Sequence, residues 1–133
     1  MNGYTFADLE SDLFIAPSAA KALFLQILGR YVDKYNPKDK MLLLGYNINF
    51  DADFIREWFL KMGDKYFGSW FWFPPICTMQ KAADVIGEDR PKLENFKLAT
   101  VAKYFGVEFD ETQLHDALAD IDLTVKLHRK LNN

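Results

Sequence analysis

The continuous apolar run Met41-Leu42-Leu43-Leu44-Gly45-Tyr46 constrains the fold more than any other stretch of the chain. It is short, it follows the turn Lys38-Asp39-Lys40, and it shows no alternation with polar residues. A strand with one face in water alternates, whereas a strand covered on both faces reads as an unbroken apolar run. Residues 41–46 are therefore expected to form a central parallel strand, which places the chain in the α/β class. Ile76-Cys77-Thr78-Met79 reads as a second short strand, over 76–79.

The segments around these strands carry helical periodicity. Thr5 and Asp8 fit a capping box for a short helix over 6–13. Pro17 and Ser18 open an amphipathic helix with Ala20, Phe24, Ile27, Leu28, Tyr31 and Tyr35 as its buried stripe, which Asn36-Pro37 ends. After the first strand, Phe54, Ile55, Trp58, Phe59 and Met62 form a helical face, with Asp51 and Asp53 in the first turn and Gly63 at the end. The loop over 63–75 is rich in aromatic residues (Tyr66, Phe67, Trp70, Phe71, Trp72, Phe73), whose rings either cover core or stack on nucleobases. Helices are expected over 80–86 and over 93–105, the second with Leu93, Phe96, Leu98, Val101 and Phe105 apolar and Gly106 as its stop.

At 133 residues the chain is long enough for a single domain with one core, expected to span 1–133. It has no apolar run long enough to cross a membrane and no leader pattern. Its one cysteine, Cys77, reads as a small buried hydrophobe, and a cytoplasmic location is the expectation. A net charge of −3 argues against a broad basic face for nucleic acid. It leaves room for an enzyme that grips a nucleic-acid end through metal ions, because the ions bring the positive charge.

The residues 110–122 hold five acids (Asp110, Glu111, Asp116, Asp120, Asp122) and no Lys or Arg, a repulsive density that makes the stretch a candidate cation site. Its second half reads as a helix with Ala117, Ile121, Val125 and Leu131 as the apolar stripe and Asp120 and Thr124 beside it. A half-buried carboxylate needs a partner, either a hydrogen-bond donor or a metal. His115 can approach Asp120 only from the loop that enters this helix. Asp51 reads either as a helix cap or as a ligand at the carboxyl end of a parallel strand, where open α/β sheets bind their ligands.

Two stretches fit together. Gly45-Tyr46-Asn47-Ile48-Asn49-Phe50-Asp51 resembles the second motif, and His115-Asp116-Ala117-Leu118-Ala119-Asp120 with Thr124 resembles the third motif, of the DEDDh 3′–5′ exonucleases. That family includes the proofreading epsilon subunit of bacterial DNA polymerase III. The intervening Asn95-Phe96-Lys97-Leu98 and Tyr104-Phe105-Gly106-Val107 look like the helix and turn that precede the family's catalytic histidine. The resemblance implies a ribonuclease H-like α/β fold and hydrolysis at a nucleic-acid 3′ end, DNA or RNA, with two divalent ions, Mg2+ or Mn2+. It implies that Asp51 and Asp120 are metal ligands and His115 the general base. Thr124 would support Asp120, and Asn47 would shape the loop that holds Asp51 or contact substrate, although packing or capping accounts for Asn47 nearly as well.

The family's first motif, an Asp-x-Glu on the first strand, supplies further carboxylates. The only such triplet here, Asp8-Leu9-Glu10, follows a segment that makes a poor inner strand, while Asn2-Gly3-Tyr4-Thr5 resembles the segment after the family's third strand. The expectation is an N-terminally incomplete exonuclease fold, the C-terminal two thirds of it, weak or inactive as this chain alone. The alternative is a non-catalytic module that serves binding or assembly. A missing neighbour would leave strand 41–46 with an open edge, to be paired by a second copy or a partner chain.

Overall fold

The computed structural model describes residues 15–133. The expected helix over 6–13 and the Asp8-Leu9-Glu10 triplet lie outside the described residues. In chain order the elements are α1 (Pro17–Leu28), β1 (Leu44–Gly45), α2 (Ile48–Lys61), α3 (Phe67–Trp70), β2 (Ile76–Cys77), α4 (Thr78–Ile86), α5 (Leu98–Tyr104) and α6 (Ala117–Leu131). Short 3-10 turns cover Gly87–Lys92 and Glu111–Gln113. They group into two compact units. The first comprises residues 15–41 and 56–71, and the second residues 42–55 and 72–133.

The first unit is built on aromatic rings. Phe59, fully buried, meets Phe24 edge-on at 6.2 Å, Trp58 at 6.0 Å and Phe67 at 5.7 Å, and Phe67 lies 4.9 Å from Phe71. Such ring pairs add to the burial of their large apolar area. The loop over 63–75 is thus split: Phe67, Trp70 and Phe71 are buried, and α3 is a helical turn within it, while Tyr66 and Phe73 are exposed. Beside the rings, Lys21 and Asp64 form a 2.9 Å ion pair with both side chains mostly covered. Burial pushes the Asp64 carboxyl up, but the hydrogen bond and charge of Lys21 and the Tyr66 N–H outweigh it and hold Asp64 below the ordinary carboxylate value.

Helix α1 starts with Pro17 in its first turn, as expected, but it stops at Leu28 rather than continuing to Tyr35. Tyr31 and Tyr35 are exposed, not part of a buried stripe. The reason is local. Asp33 Oδ1 accepts the Tyr35 N–H at 3.0 Å, Asp39 Oδ2 accepts the Asp33 N–H at 2.8 Å, and Asn36 Oδ1 accepts the Lys38 N–H at 3.0 Å. These short side chains offer the main chain an alternative to helical bonds.

The second unit holds the sheet. β1 and β2 are parallel, with Leu44 opposite Ile76 and Gly45 opposite Cys77. The ladder is shorter than the strands expected over 41–46 and 76–79. Extending its register backwards sets Leu42 and Leu43 against Pro74 and Pro75, which have no N–H to donate. Extending it forwards meets Thr78, where α4 begins. The core of this unit is Ala82, Ile86, Val101 and Leu127, surrounded by Tyr46, Leu93, Phe96, Leu98, Phe105, Val107 and Leu131. Cys77 is buried and free, a small hydrophobe as read from sequence.

Two helix expectations change here. The helix expected over 93–105 begins at Leu98, because Asn95 Oδ1 takes the Lys97 N–H at 3.0 Å and the Thr100 hydroxyl at 2.6 Å. On α6 the buried residues are Leu123, Thr124 and Leu127, while Ala117 and Ile121 are exposed, so the apolar stripe expected along Ala117, Ile121 and Val125 is not the core face. Leu131 does pack on the core, in step with Leu123, Thr124 and Leu127 along the i, i+3, i+4 rows. A parallel two-strand sheet amid helices is compatible with the expected α/β class. No helix is long and apolar enough to cross a membrane among the described residues.

Candidate functional site

β1 ends at Gly45, and the chain turns through Tyr46 and Asn47 into α2. Asn47 makes this turn with φ of +61°, a left-handed backbone that asparagine tolerates better than most residues. Its carbonyl accepts the Phe50 N–H at 3.2 Å, and α2 then places Asp51 in its first turn. The other arm of the site is made the same way. His115, with φ of +75°, precedes Asp116, the N-cap of α6, and Asp120 lies in the first turn of that helix. Both carboxylates thus sit near helix N-termini, where the peptide dipoles favour negative charge.

Asp51 and Asp120 line one cavity of about 440 Å3, together with Thr124. Its apolar wall comes from Leu44, Gly45, Tyr46, Ile48, Leu98, Ile121 and Val125. Asp51 is exposed and Asp120 half-buried. Thr124 Oγ donates to the main-chain carbonyl of Asp120 at 2.8 Å, so its hydroxyl braces the α6 backbone and does not bond the carboxylate. Neither His115 nor Asn47 lines the cavity, and both are exposed. Of the five residues picked out in the sequence, the structure therefore brings together Asp51, Asp120 and Thr124.

The five acids of 110–122 do not act as one cluster. Asp110 caps a 3-10 turn, accepting the Thr112 N–H at 2.9 Å and its hydroxyl at 2.7 Å, which hold its carboxyl below the ordinary value. Glu111 pairs with Lys103, and Asp122 with Lys126 at 2.9 Å. Asp120 also borders a second cavity of about 160 Å3, on whose wall Asp110, Asp122 and Lys126 lie. Among the described residues no group of three or more His, Cys, Asp or Glu could hold a metal. Two carboxylates at one cavity suit a hard cation such as Mg2+, which keeps several waters and uses one or two protein carboxylates plus substrate phosphate.

The apolar wall was the part that sequence reasoning missed as a site. Tyr46 donates its hydroxyl to the Phe96 carbonyl, tying the end of β1 to the segment before α5. Burial, followed by the charge of Cys77, pushes its phenol well above the ordinary value, so Tyr46 stays a neutral donor. A Cβ at Gly45 would lie 2.8 Å from Ile48 Cδ1, so Gly45 lets Ile48 pack directly on the strand end. The signal was available: Gly45 is the one residue in the run 41–46 without a side chain.

A family model described as exonuclease, of the RNase T type, matches residues 37–128. No curated protein and no solved structure matches the chain significantly.

Proposed function

Since the chain belongs to the exonuclease family, we propose that it is a 3′–5′ exonuclease domain that hydrolyses terminal phosphodiester bonds of DNA or RNA. The observation that carries this reading is the meeting of Asp51 and Asp120, distant in sequence, at one cavity beside the end of a parallel strand. In this proposal both carboxylates hold divalent cations, Mg2+ or Mn2+. Bound there, the cations would polarise the phosphate and stabilise charge on the leaving oxygen. His115, from the loop before α6, takes the proton of the attacking water, a role that suits imidazole near neutral pH. The phosphorus–3′-oxygen bond breaks, giving a nucleoside 5′-monophosphate and a strand one nucleotide shorter. Thr124 keeps the α6 backbone under Asp120 in place, and Asn47 sets the turn that presents Asp51.

Two carboxylates are a thin ligand set for two metals, so activity of this chain alone is proposed to be low. The remaining ligands would come from outside the described residues. The outer edge of β1 is unpaired among the described residues, Leu42 next to it is 56% exposed, and Leu118 and Ile121 on α6 are exposed as well. We propose that a second copy or a partner chain pairs with this edge. A purely monomeric species in light scattering across the micromolar range would exclude that part. The same thin ligand set favours a second reading, a non-catalytic module that keeps the fold for binding.

The test is digestion of a 3′-labelled single strand in Mn2+. Release of 5′-mononucleotides that falls about a hundredfold or more in Asp120→Ala supports the enzyme. Cleavage that survives the substitution excludes this site, and no cleavage by the wild type leaves the binding module as the better reading.

A further inference from the structure

The described parts of the two units differ in charge, with Asp8, Glu10 and Asp12 lying outside the described residues. The described part of the first unit carries eight Lys and Arg against four Asp and Glu, and the second unit carries eight against twelve. Within the first unit, the loop after α1 borders an open groove of about 1230 Å3. Tyr31 and Tyr35 line it and are 68% and 84% exposed, while buried Trp70 forms part of its floor. Arg30 and Lys34 alternate with the two tyrosines, and the Lys34 ammonium lies 5.1 Å from the Tyr35 ring and 5.8 Å from the Trp70 ring.

Asp33 and Asp39 also line the groove, but their carboxylates are engaged by the loop's own N–H groups. Those bonds hold the loop in shape, and Lys38 and Lys40 add further positive charge to the same stretch. Two nearly naked phenol rings contribute little to the core. They are presented on a braced, cation-rich loop, which is the arrangement that binds unpaired bases by their faces and the backbone by its charge.

We propose that this groove binds single-stranded nucleic acid, with Tyr31 and Tyr35 stacking on bases and Arg30 and Lys34 meeting phosphates. The proposal rests on the exonuclease reading for the identity of the polymer, and it adds a binding surface built from residues other than the cavity carboxylates. Base stacking tolerates any sequence, so the surface would hold a strand without selecting it.

The experiment is fluorescence anisotropy of a labelled twenty-nucleotide oligothymidylate with the full chain in EDTA, where no cleavage can occur. Tyr31→Ala and Tyr35→Ala are each expected to weaken binding about tenfold. Tyr31→Phe and Tyr35→Phe keep the ring and are expected to bind as the wild type does. Lys34→Gln is expected to flatten the dependence on salt. Far-ultraviolet circular dichroism checks that each variant is folded. Binding that is unaffected by both alanine substitutions, or no binding by the wild type, overturns the proposal. Loss of Mn2+-dependent cleavage with tyrosine-dependent binding retained removes the enzyme reading and leaves this one standing.

Discussion

The first unit is held by five converging aromatic rings and a covered ion pair, and its described residues are net positive. The second packs aliphatic and small residues, Ala82, Ile86, Val101 and Leu127, around a two-strand sheet, and it is net negative. The contrast teaches that the chain's formal charge of −3 is an average over unlike surfaces. The half with carboxylates at a cavity would repel a polyanion unless cations intervene, and the half with exposed tyrosines and lysines would attract it.

The contrast can be broken at its cores. Phe59 and Leu127 are both fully buried, one in each unit. Phe59→Ala removes a ring that meets three others and is expected to cost about 4 kcal/mol, against about 3 kcal/mol for Leu127→Ala. Urea unfolding followed by circular dichroism measures both, and a smaller loss at Phe59 would mean that the rings are not what holds the first unit.

A middle-sized effect lies at the ion pair. Asp64→Asn leaves Lys21 covered and without its charge partner, and is expected to cost about 2 kcal/mol, less than a fully buried pair would. Because the folded state lowers the Asp64 pKa below 3.8, the stabilisation is complete above that pH and disappears as pH falls through the lowered value. Melting temperature against pH should therefore drop less steeply below pH 4 in the variant than in the wild type. Parallel curves would remove the pair from the acid response.

The smallest effect belongs to the second unit. Gly45→Ala pushes a methyl against Ile48 Cδ1 and is expected to cost about 1 kcal/mol. Adding Ile48→Val removes the atom in the way and should restore most of that loss in thermal melts. A double variant no better than Gly45→Ala would show that the strand end is not set by this contact.

Although Leu42 in the apolar run and Tyr31, Tyr35 and Ile121 on the expected stripes are exposed, the succession of helices and strands, α3 apart, and the parallel pairing were legible in the sequence. Boundaries were not, and the residues at fault share a chemistry. Asp33, Asn36 and Asn95 each capture main-chain N–H groups with their side chains, and composition does not say whether such a residue will do so or face water. The stripe on α6 was misplaced because two neighbouring rows are apolar, one facing the core through Leu123 and Leu127 and one facing the cavity through Ile121 and Val125. Of the site, Asp51, Asp120 and Thr124 were legible as positions on helices. Where Asn47 and His115 would sit depended on backbone handedness, which no residue pattern here announced.

That handedness decides which replacement is informative at each helix entrance. Among the described residues only Asn47 and His115 hold a positive φ without being glycine. Alanine at either position removes a side chain and also disfavours the turn, so a defect in His115→Ala would confuse lost chemistry with a displaced helix. Glycine keeps the left-handed turn at no steric cost. At position 115, then, glycine separates an imidazole that handles protons from a residue whose task is to steer the chain.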